Sequence, residues 1–419
     1  MRIPKQSFPF LIIVVIFSGH GICIAATFQG LGYLTGGSCS EATAVSADGS
    51  VVVGTSCTAS GVQAFHWTAG AGIVGIPIPE GLTESWATGV SADTNFVLGH
   101  GRISDSPPYG YEGLRWHISG QLDLIEATGV NVNAQGISGD GSIVVGTSWG
   151  TGIIEEAFRW TAEAGICRLN DLHGEGVRSS AEAVSANGLI VVGHRIYEGP
   201  PYRDCFRWTE NEVVGFGAHT ANATSSDGSV VVGGLDNYET QLFEAYRWTQ
   251  ETGVSLLGTC LPNYHSRALA VSGDGSVVVG YVQNNNGFDE QKAFIWEQKH
   301  GMRLLQDVLE DDFGLDLSGW QLAEPWASWK ATGISEDGLT VVGAALNSLC
   351  QREAWRAVLC KQGDFQPDGV VDMYDFAVLA SAWQSKPDDK NWNADCDISE
   401  PNDCCIDATD LSVLAGNWL

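Results

Sequence analysis

The stretch Ser46–Gly54 reads S-A-D-G-S-V-V-V-G, and six variants of this phrase recur along the 419-residue chain. The variants begin at Ser91, Ser138, Ser185, Ser225, Ser272 and Ser335, and successive copies lie 45, 47, 47, 40, 47 and 63 residues apart. A period of this size is typical of proteins built from repeated structural units. Because Asp-Gly between β-branched residues favours a tight hairpin turn, each copy predicts two antiparallel strands joined at that turn.

A second phrase follows each turn after about twenty residues. Its copies begin at Ala64 (A-F-H-W), Gly113 (G-L-R-W), Ala157 (A-F-R-W), Cys205 (C-F-R-W), Ala245 (A-Y-R-W), Ala293 (A-F-I-W) and Ala354 (A-W-R-A). Six copies are followed by a short apolar run containing Gly, such as Gly72–Ile76. The pattern therefore predicts four strands per repeat, which is typical of the blades of a β-propeller. The Arg of this phrase is predicted to be structural, stacking on aromatic rings or pairing across blades.

An alanine precedes each opening Ser by four residues, as Ala42 precedes Ser46. A position restricted to a small side chain indicates strands crowded around a central axis. The seventh repeat supplies only three strands, whereas Phe28–Leu34 (F-Q-G-L-G-Y-L) resembles the missing fourth. We therefore predict a mainly β fold, a closed seven-bladed β-propeller over residues 27–360, in which the first strand completes the last blade and leaves no open sheet edge.

Residues 1–26 have the organisation of a secretory signal peptide. Arg2 and Lys5 precede an apolar run from Phe8 to Phe17, and small residues follow near Ala26. The alternative of a membrane anchor is disfavoured because the run is short for a span, and no other apolar stretch could cross a bilayer. The net charge of −29 argues against nucleic acid or an anionic membrane as a partner. We expect a secreted, extracellular protein with no membrane span.

The export signal makes disulfides possible, because the compartments outside the cytosol are oxidising. If Asp48-Gly49 is the turn of the first hairpin, Cys39 and Cys57 lie nearly opposite each other on its two strands. We therefore predict a disulfide between them. The alternative is a pair of buried thiols.

The segment Gln306–Lys330 lengthens the interval before the last repeat and carries Trp320, Trp326 and Trp329. Together with the two repeated phrases, it resembles the HAF-type probable extracellular repeat proteins over about Phe28 to Leu359. That resemblance implies a secreted repeat protein of undefined activity, and it provides no catalytic residues.

The composition changes from Gly363 onwards, where twelve Asp and Glu against two Lys leave a net charge of −10. A duplication is visible, since D-F-A-V-L-A-S-A-W begins at Asp375 and D-L-S-V-L-A-G-N-W begins at Asp410. The apolar spacing predicts a helix in each copy. Each helix follows regularly spaced carboxylates, so residues 361–419 are predicted to form a small α-helical, EF-hand-like domain.

The first acidic run has the spacing of an EF-hand loop, with Gly369 at the turn position. Calcium prefers six to eight oxygen ligands, so this run predicts a Ca²⁺ site rather than a merely solvated acidic loop. The predicted ligands are the side chains of Asp364, Gln366, Asp368, Asp372 and Asp375 and the carbonyl of Val370.

The second acidic run fits the same pattern only with two inserted residues, and Cys404 replaces the turn Gly. A bridge from Cys396 to Cys404 or to Cys405 is one way to hold this loop. The second site is expected to bind calcium more weakly. Its predicted ligands are Asp397, Ser399, Asp403, Cys405, Asp407 and Asp410.

Paired loop–helix units of this kind resemble a type I dockerin. The resemblance implies a cohesin-like protein partner, which dockerins bind through residues just before the last Asp of each loop. Those residues are Met373-Tyr374 and Ala408-Thr409 here, where Ser-Thr is commoner in the family.

The leading functional hypothesis is a non-catalytic secreted protein whose propeller binds an unknown ligand, a glycan or a protein, and whose tail docks to a partner. The rival hypothesis is an extracellular enzyme acting on polysaccharide in the propeller funnel. Glycoside hydrolysis needs two carboxyl groups. Only one acid, Glu182, occurs among the residues that follow the seven alanines, which are Thr43, Thr88, Gln135, Glu182, Asn222, Leu269 and Thr332.

Overall fold

The computed structural model describes residues 26–103, 110–126, 130–150, 153–169, 177–199, 203–285, 290–320, 329–359, 373–387, 389–391, 393, 396 and 405–416. The chain divides into two compact units, of which the larger is Ala26–Leu359. The described helices of the tail belong to the second unit. In the described residues no helix is both long enough and apolar enough to span a bilayer.

The larger unit consists of seven four-stranded antiparallel sheets, which confirms the predicted seven-bladed β-propeller. The first strand of the chain is β1 (Thr27–Gly32). Blade 1 contains β2 (Ser40–Val45), β3 (Val51–Thr58), β4 (Gly61–Thr68) and β5 (Gly72–Gly75). Blade 2 contains β6 (Glu84–Val90), β7 (Phe96–Arg102), β8 (Tyr111–His117) and β9 (Leu122–Ile125). Blade 3 contains β10 (Val130–Ile137), β11 (Val144–Gly150), β12 (Ile153–Thr161) and β13 (Gly165–Arg168).

The remaining four blades repeat the same order of strands. Blade 4 contains β14 (Arg178–Val184), β15 (Val191–Ile196), β16 (Arg203–Trp208) and β17 (Val213–Gly215). Blade 5 contains β18 (Thr220–Thr224), β19 (Val230–Asn237), β20 (Leu242–Thr249) and β21 (Gly253–Gly258). Blade 6 contains β22 (Tyr264–Val271), β23 (Val277–Asn284), β24 (Gln291–Glu297) and β25 (Gly301–Leu304). Blade 7 contains β26 (Lys330–Ile334), β27 (Thr340–Leu346), β28 (Arg352–Val358) and, as its outermost strand, β1.

The ring closes as the strand count predicts. Strand β1 pairs antiparallel with β28, with Phe28 opposite Ala357 and Gly32 opposite Ala354. Blade 7 also joins blade 1, because the Thr332 hydroxyl donates to the carbonyl of Ala42 at 2.8 Å. Both ends of the repeat array are therefore paired, and neither leaves an open edge.

Each blade packs against its neighbours through a separate apolar cluster. The repeated alanines lie in these clusters or beside them and are at most 1% exposed, so a larger side chain there would push neighbouring blades apart. They are Ala42, Ala87, Ala134, Ala181, Ala221, Ala268 and Ala331. The predicted crowding of the inner strands is thus confirmed.

The inserted segment fills the core beside blades 6 and 7. It begins with a short helix, α1 (Leu305–Asp307), and a π-helical turn, Val308–Asp312. Leu305, Leu309 and Trp329 are at most 1% exposed and pack with Trp355 of blade 7. Because these side chains are buried, the described residues of the segment form part of the propeller core.

The tail contains two short helices, α2 (Met373–Ser381) and α3 (Ala408–Gly416). Leu379 of α2 and Leu414 of α3 are fully buried in a small core with Cys396 and Ile406. The chain after α2 meets the chain before α3, where the Gln384 N–H donates to the Ile406 carbonyl at 2.7 Å. The two predicted helices are confirmed. The calcium-binding EF-hand character of the tail stays a prediction, because most of its loop residues lie outside the described part of the chain.

The predicted disulfide between Cys39 and Cys57 is present, with Cα atoms 5.2 Å apart. Cys39 precedes β2 and Cys57 lies in β3, and the Cys57 N–H donates to the Cys39 carbonyl at 2.9 Å. The hairpin register therefore holds the two cysteines at the separation that a disulfide requires.

Candidate functional site

The repeated Ser and Asp of the opening phrase hold the hairpin turn and have no other visible role. The Ser46 hydroxyl donates to Asp48 Oδ1 at 2.6 Å and accepts from the Val51 N–H at 3.0 Å, while Gly49 adopts a positive φ of 70°. The same Ser-to-Asp (in blade 4, Asn) hydrogen bond occurs in the other six blades, from Ser91, Ser138, Ser185, Ser225, Ser272 and Ser335. In blade 3, hydrogen bonds from the Ser142 N–H and from the Ser138 and Ser142 hydroxyls hold the pKa of Asp140 below its usual value.

The seven turns are joined to one another around the axis by backbone hydrogen bonds. The residue after the opening Ser donates its N–H to the equivalent carbonyl of the next blade, as Gly139 does to Ala186 at 2.8 Å. Equivalent bonds run from Ala186, Ser226, Gly273 and Glu336 to the blades that follow them, and between blades 2 and 3 the Asp93 N–H donates to the Gly139 carbonyl at 3.2 Å. We call this the hairpin end of the propeller.

Four of the five arginines in the second phrase donate a hydrogen bond to the turn of the next blade, in agreement with the predicted structural role. The donors and their acceptors are Arg115 to the Gly141 carbonyl (2.6 Å), Arg207 to Gly228 (2.9 Å), Arg247 to Gly275 (3.1 Å) and Arg356 to Gly49 (3.2 Å). A glycine carbonyl is accessible in each turn, so a single side chain joins two blades.

A third set of inter-blade bonds was not anticipated from the sequence. In some repeats a serine stands two residues before the repeated alanine. Its hydroxyl accepts a hydrogen bond from the backbone N–H of the first residue of the second phrase in the preceding blade. Ser40, Ser85, Ser179 and Ser266 make this bond to Ala354, Ala64, Ala157 and Ala245. The sequence signal that could have predicted these bonds is the spacing S-x-A, which occurs in four of the seven repeats.

The residues that follow the alanines sit in β-bulges, where the register of each inner strand shifts by one. Four of them donate a side-chain hydrogen bond to the alanine carbonyl of the next blade. These are Thr43 to Ala87, Thr88 to Ala134, Asn222 to Ala268 and Thr332 to Ala42. A bulge therefore turns a side chain of the inner strand towards the neighbouring blade.

Blades 3 and 4 break this pattern. Gln135 donates to Glu182 at 2.5 Å, the Ser180 hydroxyl donates to Glu182 at 2.7 Å, and His194 Nδ1 lies 3.3 Å from Glu182 Oε1. Burial raises the pKa of Glu182. Burial first, and then the nearby Arg203 and His219, lower the pKa of His194 to about 4. The pair thus combines one carboxyl group and one imidazole that is neutral at pH 7.

The opposite end of the propeller, which we call the open end, carries different residues in every blade. The position before the repeated alanine is occupied by Glu41, Trp86, Asn133, Ser180, Thr220, Arg267 and Lys330. Its cross-strand partners are Thr55, His100, Thr147, His194, Gly234, Tyr281 and Ala344. At this position the open end therefore presents a different side chain in every blade.

Four aromatic rings line up at the open end of blades 2 and 3, and we call them the aromatic row. Trp86 stacks on His100 with ring centroids 5.3 Å apart, and Tyr111 lies 6.4 Å from Trp86. Trp149 of the next blade lies 6.3 Å from Tyr111. All four side chains are half-buried, so each keeps some accessible surface. Burial without a hydrogen bond to Nδ1 lowers the pKa of His100 to about 4.

A cleft of about 170 Å³ adjoins the row, with Trp86 as one of its walls. Across it, Arg352 pairs with Glu41 at 3.0 Å, and Val62 and Thr55 complete the lining near the Cys39–Cys57 disulfide. The cleft is smaller than the 300 Å³ or more that is usual for drug-sized ligands, so it can hold part of a ligand about the size of one sugar or aromatic ring.

The structure describes four of the twelve predicted calcium ligands. Asp375 lies in the first turn of α2 and Asp410 in the first turn of α3, and both are buried, at 1% and 0% exposure. Asp407 caps α3, since its Oδ1 accepts from the Thr409 N–H at 2.8 Å, while Cys405 precedes the helix and is half-buried. The other eight predicted ligands lie outside the described residues: Asp364, Gln366, Asp368, Val370, Asp372, Asp397, Ser399 and Asp403.

Comparisons with known proteins agree with the fold. No protein-family model matches the chain, and no curated protein sequence matches it significantly. Among solved structures, an oligogalacturonate lyase from Vibrio parahaemolyticus is 12% identical with a TM-score of 0.52, covering 80% of this chain and 97% of the lyase. An oligogalacturonate lyase in complex with manganese is 13% identical with a TM-score of 0.51, covering 80% and 93%.

A TolB protein from Acinetobacter baumannii is 11% identical with a TM-score of 0.43, covering 61% of this chain. This chain spans 63% of that TolB, slightly less than two thirds of its length. Identities this low show a likeness of fold alone. The two lyase structures support the β-propeller fold, and the function has to be argued from the residues of this chain.

Proposed function

We propose that this chain is a secreted, non-catalytic binding protein whose propeller presents its open end to a ligand and whose tail docks to a second protein. One observation carries the proposal. Residues that recur between repeats form the turns and the inter-blade bonds, whereas the residue before the repeated alanine, at the open end, differs in all seven blades. A surface that changes from blade to blade on a constant scaffold is the arrangement expected of a binding face.

The sequence supports secretion and docking. The predicted signal peptide and the resemblance to HAF-type repeats favour an extracellular location, and the tail resembles a dockerin. Exposed side chains occur where a dockerin contacts its partner, since Met373 and Tyr374 are 63% and 67% exposed at the start of α2. Ala408 and Thr409 are exposed at the start of α3. A cohesin-like protein is therefore the proposed partner.

Calcium is the proposed cofactor of the tail. Asp375 and Asp410 are buried carboxyl groups in the first turn of a helix, each at the last position of a predicted loop. The Asp410 carboxylate also accepts a hydrogen bond from the Asp407 N–H at 2.9 Å, so the support for a cation site is the position of each acid in its predicted loop. Oxygen-rich loops suit Ca²⁺, which would offset the repulsion among the tail's acidic side chains.

Calcium titration of the full chain tests this part of the proposal. We expect up to two bound Ca²⁺ ions per chain by isothermal titration calorimetry, the first more tightly held. Asp364→Ala with Asp375→Ala should remove the tighter site, and Asp397→Ala with Asp410→Ala should remove the weaker one. Asp389→Ala, an exposed acid between the two loops, is the control. Binding that survives both double substitutions would contradict the assignment.

Docking is tested with the same protein immobilised and a cohesin-like protein in solution. Retention should require calcium and should fall at least tenfold in Tyr374→Ala, because an exposed aromatic side chain supplies much of the contact energy at such interfaces. Leu349→Ala removes an apolar side chain of the propeller that is 72% exposed and should have no effect. Equal retention with and without calcium would contradict calcium-dependent docking.

A polysaccharide-acting enzyme is the second candidate, and the contact between Glu182 and His194 is the observation that favours it. A raised carboxyl pKa suits a general acid, and a neutral imidazole suits a general base. The expected test is turnover of oligogalacturonate and neutral oligosaccharides by the parent chain and by Glu182→Gln, with Glu210→Gln as an exposed control. Turnover abolished only in Glu182→Gln would favour the enzyme over the binding protein.

A further inference from the structure

The four rings of the aromatic row make none of the turn, arginine or serine bonds that recur between blades. The adjoining cleft lies where blades 7 and 1 are joined, since Ser40 accepts from the Ala354 N–H and Glu41 pairs with Arg352. In the other blades the position of Trp86 is occupied by charged or small polar residues, so the row is specific to blades 2 and 3. Clustered aromatic rings on a face that otherwise carries charged or small polar residues at this position mark a candidate ligand site.

We propose that the aromatic row and its cleft bind a neutral glycan, with Trp86, Tyr111 and Trp149 as the stacking surface. The inference rests on the proposed binding role of the open end and names the ligand class. Sugar rings present apolar C–H faces and hydroxyl edges. Half-buried aromatic rings can stack on the apolar faces of sugars, because they bury large apolar areas at a small cost in conformational entropy.

Polar groups for the hydroxyl edges stand beside the rings. Arg352 and Glu41 line the cleft together with Trp86. Arg102, which lies opposite Tyr111 on the neighbouring strand, pairs with Glu84 at 2.6 Å. Planar guanidinium and carboxylate groups offer several fixed donors and acceptors. A few placed polar groups at the edge of an aromatic surface are typical of specific small-ligand sites.

The charge distribution favours a neutral ligand over an anionic one. The chain has a net charge of −29, which repels polyanions, and both arginines at the site are already paired with glutamates. Single-stranded nucleic acid also stacks on aromatic rings, but it requires a positively charged groove along its backbone. An acidic glycan would have to displace Glu41 or Glu84 from its arginine.

The dimensions favour a chain of sugars over a single one. The centroid distances place the Trp86 and Trp149 rings no more than about 12.7 Å apart, with Tyr111 between them. The cleft accommodates about one further ring beyond Trp86. The ring planes are inclined to one another by 44° to 52° along the row, so successive sugars would stack on rings of different orientation.

Affinity electrophoresis and calorimetry of the full chain test the proposal, with cellohexaose, xylohexaose and mannohexaose as neutral probes and oligogalacturonate as the anionic one. We expect at least one neutral probe to bind and the anionic probe not to. Trp149→Ala should weaken binding about tenfold, the loss expected for one stacking contact. Trp86→Phe, which retains a ring, should weaken it less. Tyr238→Ala removes an aromatic side chain of blade 5 that is 84% exposed and serves as the control.

The outcomes are separable from those for the tail, because the glycan site and the calcium sites share no residue. Absence of binding to all neutral probes would overturn the glycan proposal, as would unchanged affinity in both Trp149→Ala and Trp86→Phe. Binding confined to oligogalacturonate, or to an aromatic peptide through the same rings, would also overturn it. Calcium-dependent docking with no glycan binding would leave the proposed function of the tail intact.

Discussion

Arg115 illustrates how one side chain joins two blades. It is 7% exposed, donates to the Gly141 carbonyl of blade 3, pairs with Asp123 at 2.6 Å, and lies over the rings of Phe96 and Trp160. Removal of this side chain would leave a carbonyl and a carboxylate without their donor and would open a space between two rings. Each of those effects is among the recognised causes of large destabilisation.

We expect Arg115→Ala to lower the free energy of unfolding by about 3 kcal/mol, since a lost hydrogen bond to a charged group costs about 1.5–3 kcal/mol and the cavity adds to it. The matched control is Arg168→Ala, whose arginine is 51% exposed and pairs with Glu156, and it should cost less than about 1 kcal/mol. Denaturant unfolding of both variants provides the measurement. Equal costs would show that the inter-blade contact contributes nothing.

His100 predicts a dependence of stability on pH. Its pKa is about 4 in the folded protein, against an ordinary value of 6.5, because burial disfavours the charged ring. The unfolded chain therefore takes up a proton as the pH falls through 6.5, whereas the folded chain does so only near pH 4. The contribution of this residue to stability is complete above pH 6.5 and is lost between pH 6.5 and pH 4.

We expect His100→Gln to reduce the loss of stability between pH 6.5 and pH 4 by about 1–3 kcal/mol relative to the parent chain. The control His300→Gln removes a histidine that is 43% exposed. Thermal unfolding at several pH values measures both. A parallel pH profile for parent and His100→Gln would exclude this residue as the source.

The hairpin is the element that the sequence predicts best. Its signals are local, because Asp48-Gly49 and the flanking valines specify the turn and both strands, and the register then brings Cys39 and Cys57 together. The pairing of β1 with β28 followed from a count of strands, so it also needed no long-range information. Local chemistry repeated seven times was sufficient for the propeller.

The aromatic row could not be predicted in this way. The hairpin register pairs Trp86 with His100 as it pairs Cys39 with Cys57, but Tyr111 comes from a third strand and Trp149 from blade 3, and no sequence spacing links those two rings to the pair. Their contact depends on the packing of one blade on the next. The network of Glu182 with Gln135 and His194 has the same origin, and only the departure of Gln135 and Glu182 from the usual small residue signals it.

The first hairpin gains stability from its disulfide. The bridge closes 18 residues, and in the chain-entropy account a loop of that size restricts the unfolded state by about 3 kcal/mol. We expect Cys39→Ser with Cys57→Ser to lower the free energy of unfolding by about that amount. The parent chain under reducing conditions should match the double variant. A difference between those two measurements would indicate that the serines, not the missing bridge, cause the change.

At the scale of the whole molecule, stability depends on closure of the ring. Strand β1 covers the outer edge of blade 7, and Phe28 packs between Trp320 and Trp355 at centroid distances of 5.1 and 5.3 Å. Without β1, the backbone groups of β28 would lie at an unpaired edge beside exposed apolar side chains. Such an edge is a template for association with other chains.

We therefore predict that deletion of residues 27–34 produces a chain that aggregates and unfolds at a lower temperature, as measured by light scattering and thermal unfolding. The register provides the control. Thr27 lies opposite Val358, so residues 26–34 can be moved to follow Leu359 through an added two-residue Asn-Gly turn, which places Ala26 opposite Leu359 and keeps the native antiparallel register with β28. This permuted chain should be monomeric and should recover most of the stability.

If the deleted chain is as monomeric and stable as the parent, the strand that closes the ring contributes nothing to the fold. If both the deleted chain and the permuted chain aggregate and unfold early, the ring requires the native order of the chain and not only the pairing of β1 with β28.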